Sequence, residues 1–279
     1  MTLTAVTAGA YLHHIALLTD RPEALAAFYA EAFDMDAARA GGGEWLCIGP
    51  GRRVAFLQGS PKTLAYAGFA CRDAAGLARL RDRAAAEELA IEAAPGRFFK
   101  DGAFALRDPD DNRILFGLSD DGEPPRAGLR GPIQHLSLST LDVDALEVFC
   151  HRRLGFAISD RVRRDGGEIT TSFLRSNHEH HTVAFFKSSR QGIDHHSYEA
   201  GDWTMIRDWA DRFAARGLPL IWGPGRHGPG NNLFIFIEDP DGNRIEVSAE
   251  LEVVHDRPVK DWPHEERTLN LWGRAIMRV

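Results

Sequence analysis

The chain has 279 residues, which is room for about two domains at roughly 150 residues each. Lys plus Arg number 33 and Asp plus Glu 40, a net charge of −7, which argues against a nucleic-acid binder because such proteins need a basic face to displace phosphate counterions. Hydrophobic residues make up 44% and charged residues 26%, ordinary for a folded globular protein, and no apolar run approaches the ~18 residues of a membrane span.

In chain order, His14-Ile-Ala-Leu-Leu-Thr-Asp alternates like a half-buried strand and runs into a helical stretch, Pro22–Phe33, with Asp20 as a candidate cap. A strand at 66–70 and an Ala-rich helix at 73–89 follow. Then comes Phe104-Ala-Leu-Arg-Asp-Pro-Asp-Asp-Asn-Arg-Ile-Leu, a strand, tight turn and strand. The same order returns in the second half. His135-Leu-Ser-Leu-Ser-Thr-Leu-Asp leads into a helix at 143–154. A strand at 195–199 and a helix at 202–216 precede Ile235-Phe-Ile-Glu-Asp-Pro-Asp-Gly-Asn-Arg-Ile-Glu. Two matched pairs in one order read as an internal repeat. The chain divides into four βαβββ modules at about 11–60, 64–118, 132–187 and 194–249, an α+β architecture. The expected divisions are an N-terminal half (1–118), a polar linker (119–131), a C-terminal half (132–249) and a tail (250–279). The tail packs on the C-terminal half or on a neighbouring subunit.

Cys47, Cys71 and Cys150 are odd in number and form no CxxC, so they read as reduced residues of a cytoplasmic protein. The N-terminus shows no signal-peptide pattern. Histidine is the type in excess, at 12.

His135 and His195 open the first strands of modules three and four, and Glu246 lies on the last strand of module four. Two imidazoles and one carboxylate on a face leave open positions, a set suited to non-haem Fe(II). His195 is preferred over His196 by register. Asp142 lies seven residues after His135 and Asp202 seven after His195, and a one-residue slip reverses the face. The equivalent N-terminal positions are His14, Tyr66 and Leu115, with one potential ligand left among them. That half reads as a scaffold without metal. Gly223-Pro-Gly-Arg-His-Gly has the letters of a dinucleotide loop, but a Pro occupies its turn and a strand follows instead of a helix.

These repeats and ligands resemble the vicinal oxygen chelate superfamily and, within it, the two-domain type I extradiol ring-cleaving dioxygenases (catechol 2,3-dioxygenase-like). The resemblance implies modules paired into two cup-shaped barrels with metal only in the C-terminal cup. It implies Fe(II), with Mn(II) able to use the same ligands, and ring opening of a small aromatic diol by O2. No nucleic acid or membrane is involved, and homo-oligomers are usual. By resemblance His181, just before the apolar run Val183-Ala-Phe-Phe, is an acid–base residue. His227 in the Gly-rich loop hydrogen-bonds the substrate. His178 and His180 read as solvent-facing loop residues. Ring-cleaving members usually carry a Tyr ten residues before the Glu ligand, where this chain has Phe236. Either His227 or Tyr198 substitutes at the substrate, or the chemistry differs. Trp222 stands where relatives acting on aromatic acids tend to have Arg, which leans towards a less charged substrate. The alternatives are a non-oxidative metal-dependent lyase, isomerase or hydrolase, or a non-catalytic binding protein.

Overall fold

A computed structural model describes residues 2–120 and 128–277; the centre of the expected linker, 121–127, lies outside them. The N-terminal half runs α1 (Thr4–Thr7), β1 (Tyr11–Thr19), α2 (Pro22–Phe33), β2 (Asp36–Arg39), β3 (Trp45–Gly49), β4 (Arg52–Gln58), β5 (Thr63–Ala70), α3 (Ala74–Ala86), β6 (Glu92–Ala93), β7 (Phe104–Arg107) and β8 (Arg113–Gly117). The C-terminal half runs β9 (Ile133–Thr140), α4 (Val143–Val148), β10 (Ala157–Arg163), β11 (Ile169–Arg175), β12 (Val183–Lys187), β13 (Gly192–Gly201), α5 (Trp203–Ala214), β14 (Trp222–Arg226), β15 (Leu233–Glu238) and β16 (Arg244–Ala249). In the tail follow β17 (Lys260–Pro263) and α6 (Glu266–Leu269). Each half is one mixed sheet, ordered β2-β3-β4-β1-β5-β8-β7-β6 and β14-β15-β16-β13-β9-β12-β11-β10-β17. The α+β class with four βαβββ modules is therefore what the chain adopts. Among the described residues no helix is long and apolar enough to cross a membrane.

The local chemistry that builds the modules is repeated. Asp73, Asp142 and Asp202 each accept a hydrogen bond from a first-turn backbone N–H, at 2.7, 3.0 and 3.0 Å. The first module differs: Arg21 occupies the cap position of α2 with no side-chain bond, and Pro22 opens the helix. Asp20 is thus not the cap. The expected helix at 143–154 is α-helical only to Val148 and continues as a π-helix over Phe149–Leu154. Both Asp-Pro-Asp segments are hairpin turns built alike. Asp108 accepts from the N–H groups of Asp110 and Asn112 at 2.9 and 2.8 Å, and Asp239 from those of Asp241 and Asn243 at 3.0 and 2.8 Å.

The two sheets share one apolar core. At their junction Phe33 packs on Tyr198 and Trp209, with ring centroids 5.0 and 5.7 Å apart. Tyr29 donates to Asp239 at 3.1 Å. Arg52 is fully buried there and spans the halves through the carbonyls of Phe33 (2.8 Å), Leu129 (3.2 Å) and Gly131 (3.3 Å). A buried carbonyl left unpaired costs about 1–3 kcal/mol, so Arg52→Met is expected to lose about 3–5 kcal/mol in urea denaturation. An unchanged midpoint would show that those carbonyls find other donors.

A second stability effect lies where β9 meets β13. Burial pushes the Glu199 carboxyl up to about 7, against hydrogen bonds from Gln134 (2.7 Å) and the Gly201 N–H (2.8 Å). The folded state thus holds this proton more tightly than the unfolded chain. The contribution is full below about pH 4.3, the unfolded value, and is lost as pH rises through 7. Glu199→Gln is expected to gain on the wild type between those limits, by at most about 4 kcal/mol. Denaturation midpoints of the two proteins at pH 4 and pH 8 measure this; a constant difference refutes it.

Candidate metal centre

Three neighbouring strands, β16, β13 and β9, carry the candidate ligands. Ser197 on β13 pairs with His135 on β9 and with Glu246 on β16. Paired residues share a face, so these two side chains flank the small serine. His195, two residues before Ser197, lies on the same face and pairs with Ser137. His135, His195 and Glu246 are all buried, and one ligand atom from each lies within 4.8 Å of the others. Nε2 of His135 is 2.9 Å and Nε2 of His195 3.4 Å from Oε2 of Glu246. His196 takes the opposite face, stacked on Tyr29 at the junction of the halves.

The donor set fits a divalent metal. Nδ1 of His195 is 2.6 Å from Asp194 Oδ1, which fixes the proton there and turns the Nε2 lone pair inward. Asn232 donates to Glu246 Oε1 at 3.1 Å. Burial alone would raise the Glu246 carboxyl, but His135, His195 and His227 outweigh it and hold it well below the usual carboxylate range. Burial likewise lowers His135, favouring the neutral form that binds metal.

The N-terminal sheet repeats this register with other side chains. Gly68 pairs with His14 and Leu115, and Tyr66 lies two residues earlier. A Cβ at Gly68 would stand 2.1 Å from the His14 ring, so only glycine admits it. Phe98 and Phe99 pack on that ring at 4.9 and 4.7 Å. The position equivalent to the metal site is filled by aromatic rings.

The ligands open on a cavity of about 20 Å³ whose walls include Phe173, Phe186, Trp222, Phe236 and Leu269. His181 lines it with its ring 4.2 Å from that of His135. Burial, then His135 and His180, push His181 well below its ordinary value, so it is neutral. His227 lines it too, with Nε2 3.6 Å from Glu246 Oε1 and Nδ1 against the Leu269 carbonyl. Phe236 stacks on Trp222 at 5.1 Å and meets the edge of His195 at 5.2 Å.

Three expectations are corrected. Tyr198 lies outside the cavity, fully buried against Phe33 and His196, because it shares the face of His196 and not that of His195. His180 is fully buried, not in solvent, and sits 3.1 Å from Asp160. The Gly-Pro-Gly-Arg segment is strand β14, irregular between Trp222 and Gly225, and not a loop. The tail packs on the C-terminal half: β17 pairs with β10 and Leu269 reaches the cavity. Sequence reading missed Asp194, Asn232 and Ser137. Asp194 was signalled by its place beside His195; the other two required the register.

A family model described as the Glyoxalase/Bleomycin resistance protein/Dioxygenase superfamily matches residues 11–116 and 132–247. Metapyrocatechase 2 of Cupriavidus necator is 26% identical over 247 residues, covering 79% of this chain and 75% of that protein. An iron-dependent extradiol dioxygenase of Rhodococcus jostii is 26% identical over 246 residues, covering 79% and 81%. Homoprotocatechuate 2,3-dioxygenase of Brevibacterium fuscum, solved as an anaerobic complex with 3,4-dihydroxyphenylacetate, superposes with a TM-score of 0.83 at 17% identity. That match covers 96% of this chain and 89% of the other, and shows a shared fold.

Proposed function

The chain belongs to the glyoxalase/bleomycin resistance protein/dioxygenase superfamily, and from that premise we propose that it is an extradiol dioxygenase opening the ring of a catechol-type diol with O2. The observation that carries this reading is the buried His135–His195–Glu246 triad facing an aromatic-walled cavity that also holds His181 and His227. Iron(II), or Mn(II) on the same donors, supplies open coordination positions that bring diol and O2 together. The named relatives support iron.

The chain's own residues supply the rest. Phe173, Phe186, Trp222 and Phe236 give flat apolar walls for an aromatic ring. His181, neutral in its buried setting, accepts or returns a proton at the bound oxygens. His227 hydrogen-bonds a substrate oxygen from beside Glu246. Among the described residues the lining has no Lys or Arg, which favours a diol without a further negative charge. The open volume holds about one water molecule, so lining side chains must shift for a ring to enter.

The N-terminal half reads as scaffold, supported by the rings that fill its equivalent site. The exposed Trp203–Trp272 pair, 6.0 Å apart, offers a contact for a homo-oligomer. The three unpaired, buried cysteines support a cytoplasmic setting. Phe236 favours a second reading, a non-oxidative lyase, isomerase or hydrolase, since it brings no hydroxyl to the cavity.

The test is anaerobic purification, metal analysis and O2 uptake with a panel of catechols. About one iron per chain with O2 consumed and a yellow ring-opened product is expected. Bound metal with no O2 uptake from any diol overturns the dioxygenase reading in favour of the second.

A further inference from the structure

His181 stands at the inner end of a chain of buried polar groups. Its Nδ1 lies 3.0 Å from Nδ1 of His180. Nε2 of His180 lies 3.1 Å from Oδ2 of Asp160, close although its N–H does not point squarely at that oxygen. Asp160 is fully buried and accepts from Arg257 Nη1 at Oδ1 and from Trp262 Nε1 at Oδ2, both at 2.8 Å. Arg257 is held in turn by both oxygens of Glu252, each at 2.7 Å. Burial alone would raise the Asp160 carboxyl, but His180, Trp262 and Arg257 keep it low and ionised.

These partners dictate where the protons sit. Arg257 and Trp262 can only donate, so both oxygens of Asp160 accept. The His180 nitrogen facing that carboxylate therefore carries hydrogen. With a single hydrogen on His180, its Nδ1 is bare and accepts. Nδ1 of His181 must then be the donor. The remaining nitrogen of His181, Nε2, is left with a free lone pair on the side of the ring that lines the cavity.

We propose, resting on the function given above, that Asp160 and His180 are positioning residues that hold His181 in its Nδ1–H tautomer and present its Nε2 lone pair to the bound diol. Without them the ring could rotate or carry its proton on the cavity side, where it could not act as a base. The arrangement uses the logic of a catalytic triad, with a second histidine between the acid and the base.

The test reads the tautomer directly. The full chain, metal-free and labelled with ¹⁵N-histidine, is examined by NMR, with His181→Phe identifying the His181 signals. The wild type should show a pyrrole-type Nδ1 and a pyridine-type Nε2 at His181. In Asp160→Asn, Arg257 retains the amide oxygen, so the NH2 group takes the place of Oδ2, where it faces His180 and leaves the Trp262 N–H without its acceptor. His180 must then accept at Nε2, and both tautomers invert. In the iron-loaded protein the same variant should lose about 10²-fold in kcat, with iron content and KM changed less than about threefold. His180→Gln, whose amide can accept from His181 and donate to Asp160, should restore turnover relative to His180→Leu. That second pair leaves Asp160, Arg257 and Trp262 intact and decides the matter if Asp160→Asn fails to fold. Unchanged His181 tautomers in Asp160→Asn, or His180→Leu as active as His180→Gln, overturn the proposal. Wild-type tautomers as described, in a protein that turns over no diol, would sink the dioxygenase reading and leave the positioning role standing.

Discussion

His195→Ala is expected to abolish metal binding, whereas His196→Ala keeps it. The two residues are adjacent, so the contrast isolates orientation from sequence context. His195 faces Glu246 and is braced by Asp194 at 2.6 Å; its loss leaves a two-donor site, and Glu246 loses one of the groups that keep it ionised. His196 lies on the other face of the same strand, and burial pushes it down to about 3, so it is a neutral packing residue. Removing its ring opens a cavity against Tyr29 and Tyr198, at a cost of about 2–4 kcal/mol. Metal analysis of both variants, with denaturation midpoints, tests the pair. Full metal in His195→Ala, or none in a folded His196→Ala, contradicts the assignment of faces.

The second large effect is at His181. Both His181→Ala and His181→Phe should retain metal and lose about 10²–10⁴-fold in kcat. His181 contributes no donor to the triad: its Nδ1 is engaged by His180. It does pack on His135, so truncation alone could disturb a ligand. The phenylalanine variant keeps an aromatic ring against His135 while removing the ring nitrogens. Equal losses in the two variants assign the effect to proton transfer. Loss in the alanine variant alone would mean that His181 merely supports His135. Stopped-flow turnover with iron content measured on the same samples separates these outcomes.

Much of this site was legible in the residues because repeats expose it. The Asp caps at 142 and 202 give a register shared by His135 and His195, and the two Asp-Pro-Asp turns place Glu246 one strand further on. Position 68 shows what pairing adds: glycine in one half and Ser197 in the other sit between equivalent positions, which explains room for a ligand set in one cup and for His14 in the other. Tyr198 obeys the same alternation. Its even spacing from His196 places it away from the cavity, so its hydroxyl does not stand in for the absent tyrosine.

What the sequence determined by itself was local and periodic. Alternation, caps and turn chemistry act over a few residues, so four modules and the face of each strand follow from reading along the chain. The tertiary structure alone decided which distant groups meet. Asp160 on β10, His180 before β12 and Arg257 in the tail converge on one point, and Leu269 of the last helix joins the cavity wall. Nothing in their spacing announces this. Such contacts depend on how two sheets curl and where the tail crosses them, and that is fixed by burying a shared core rather than by any local preference.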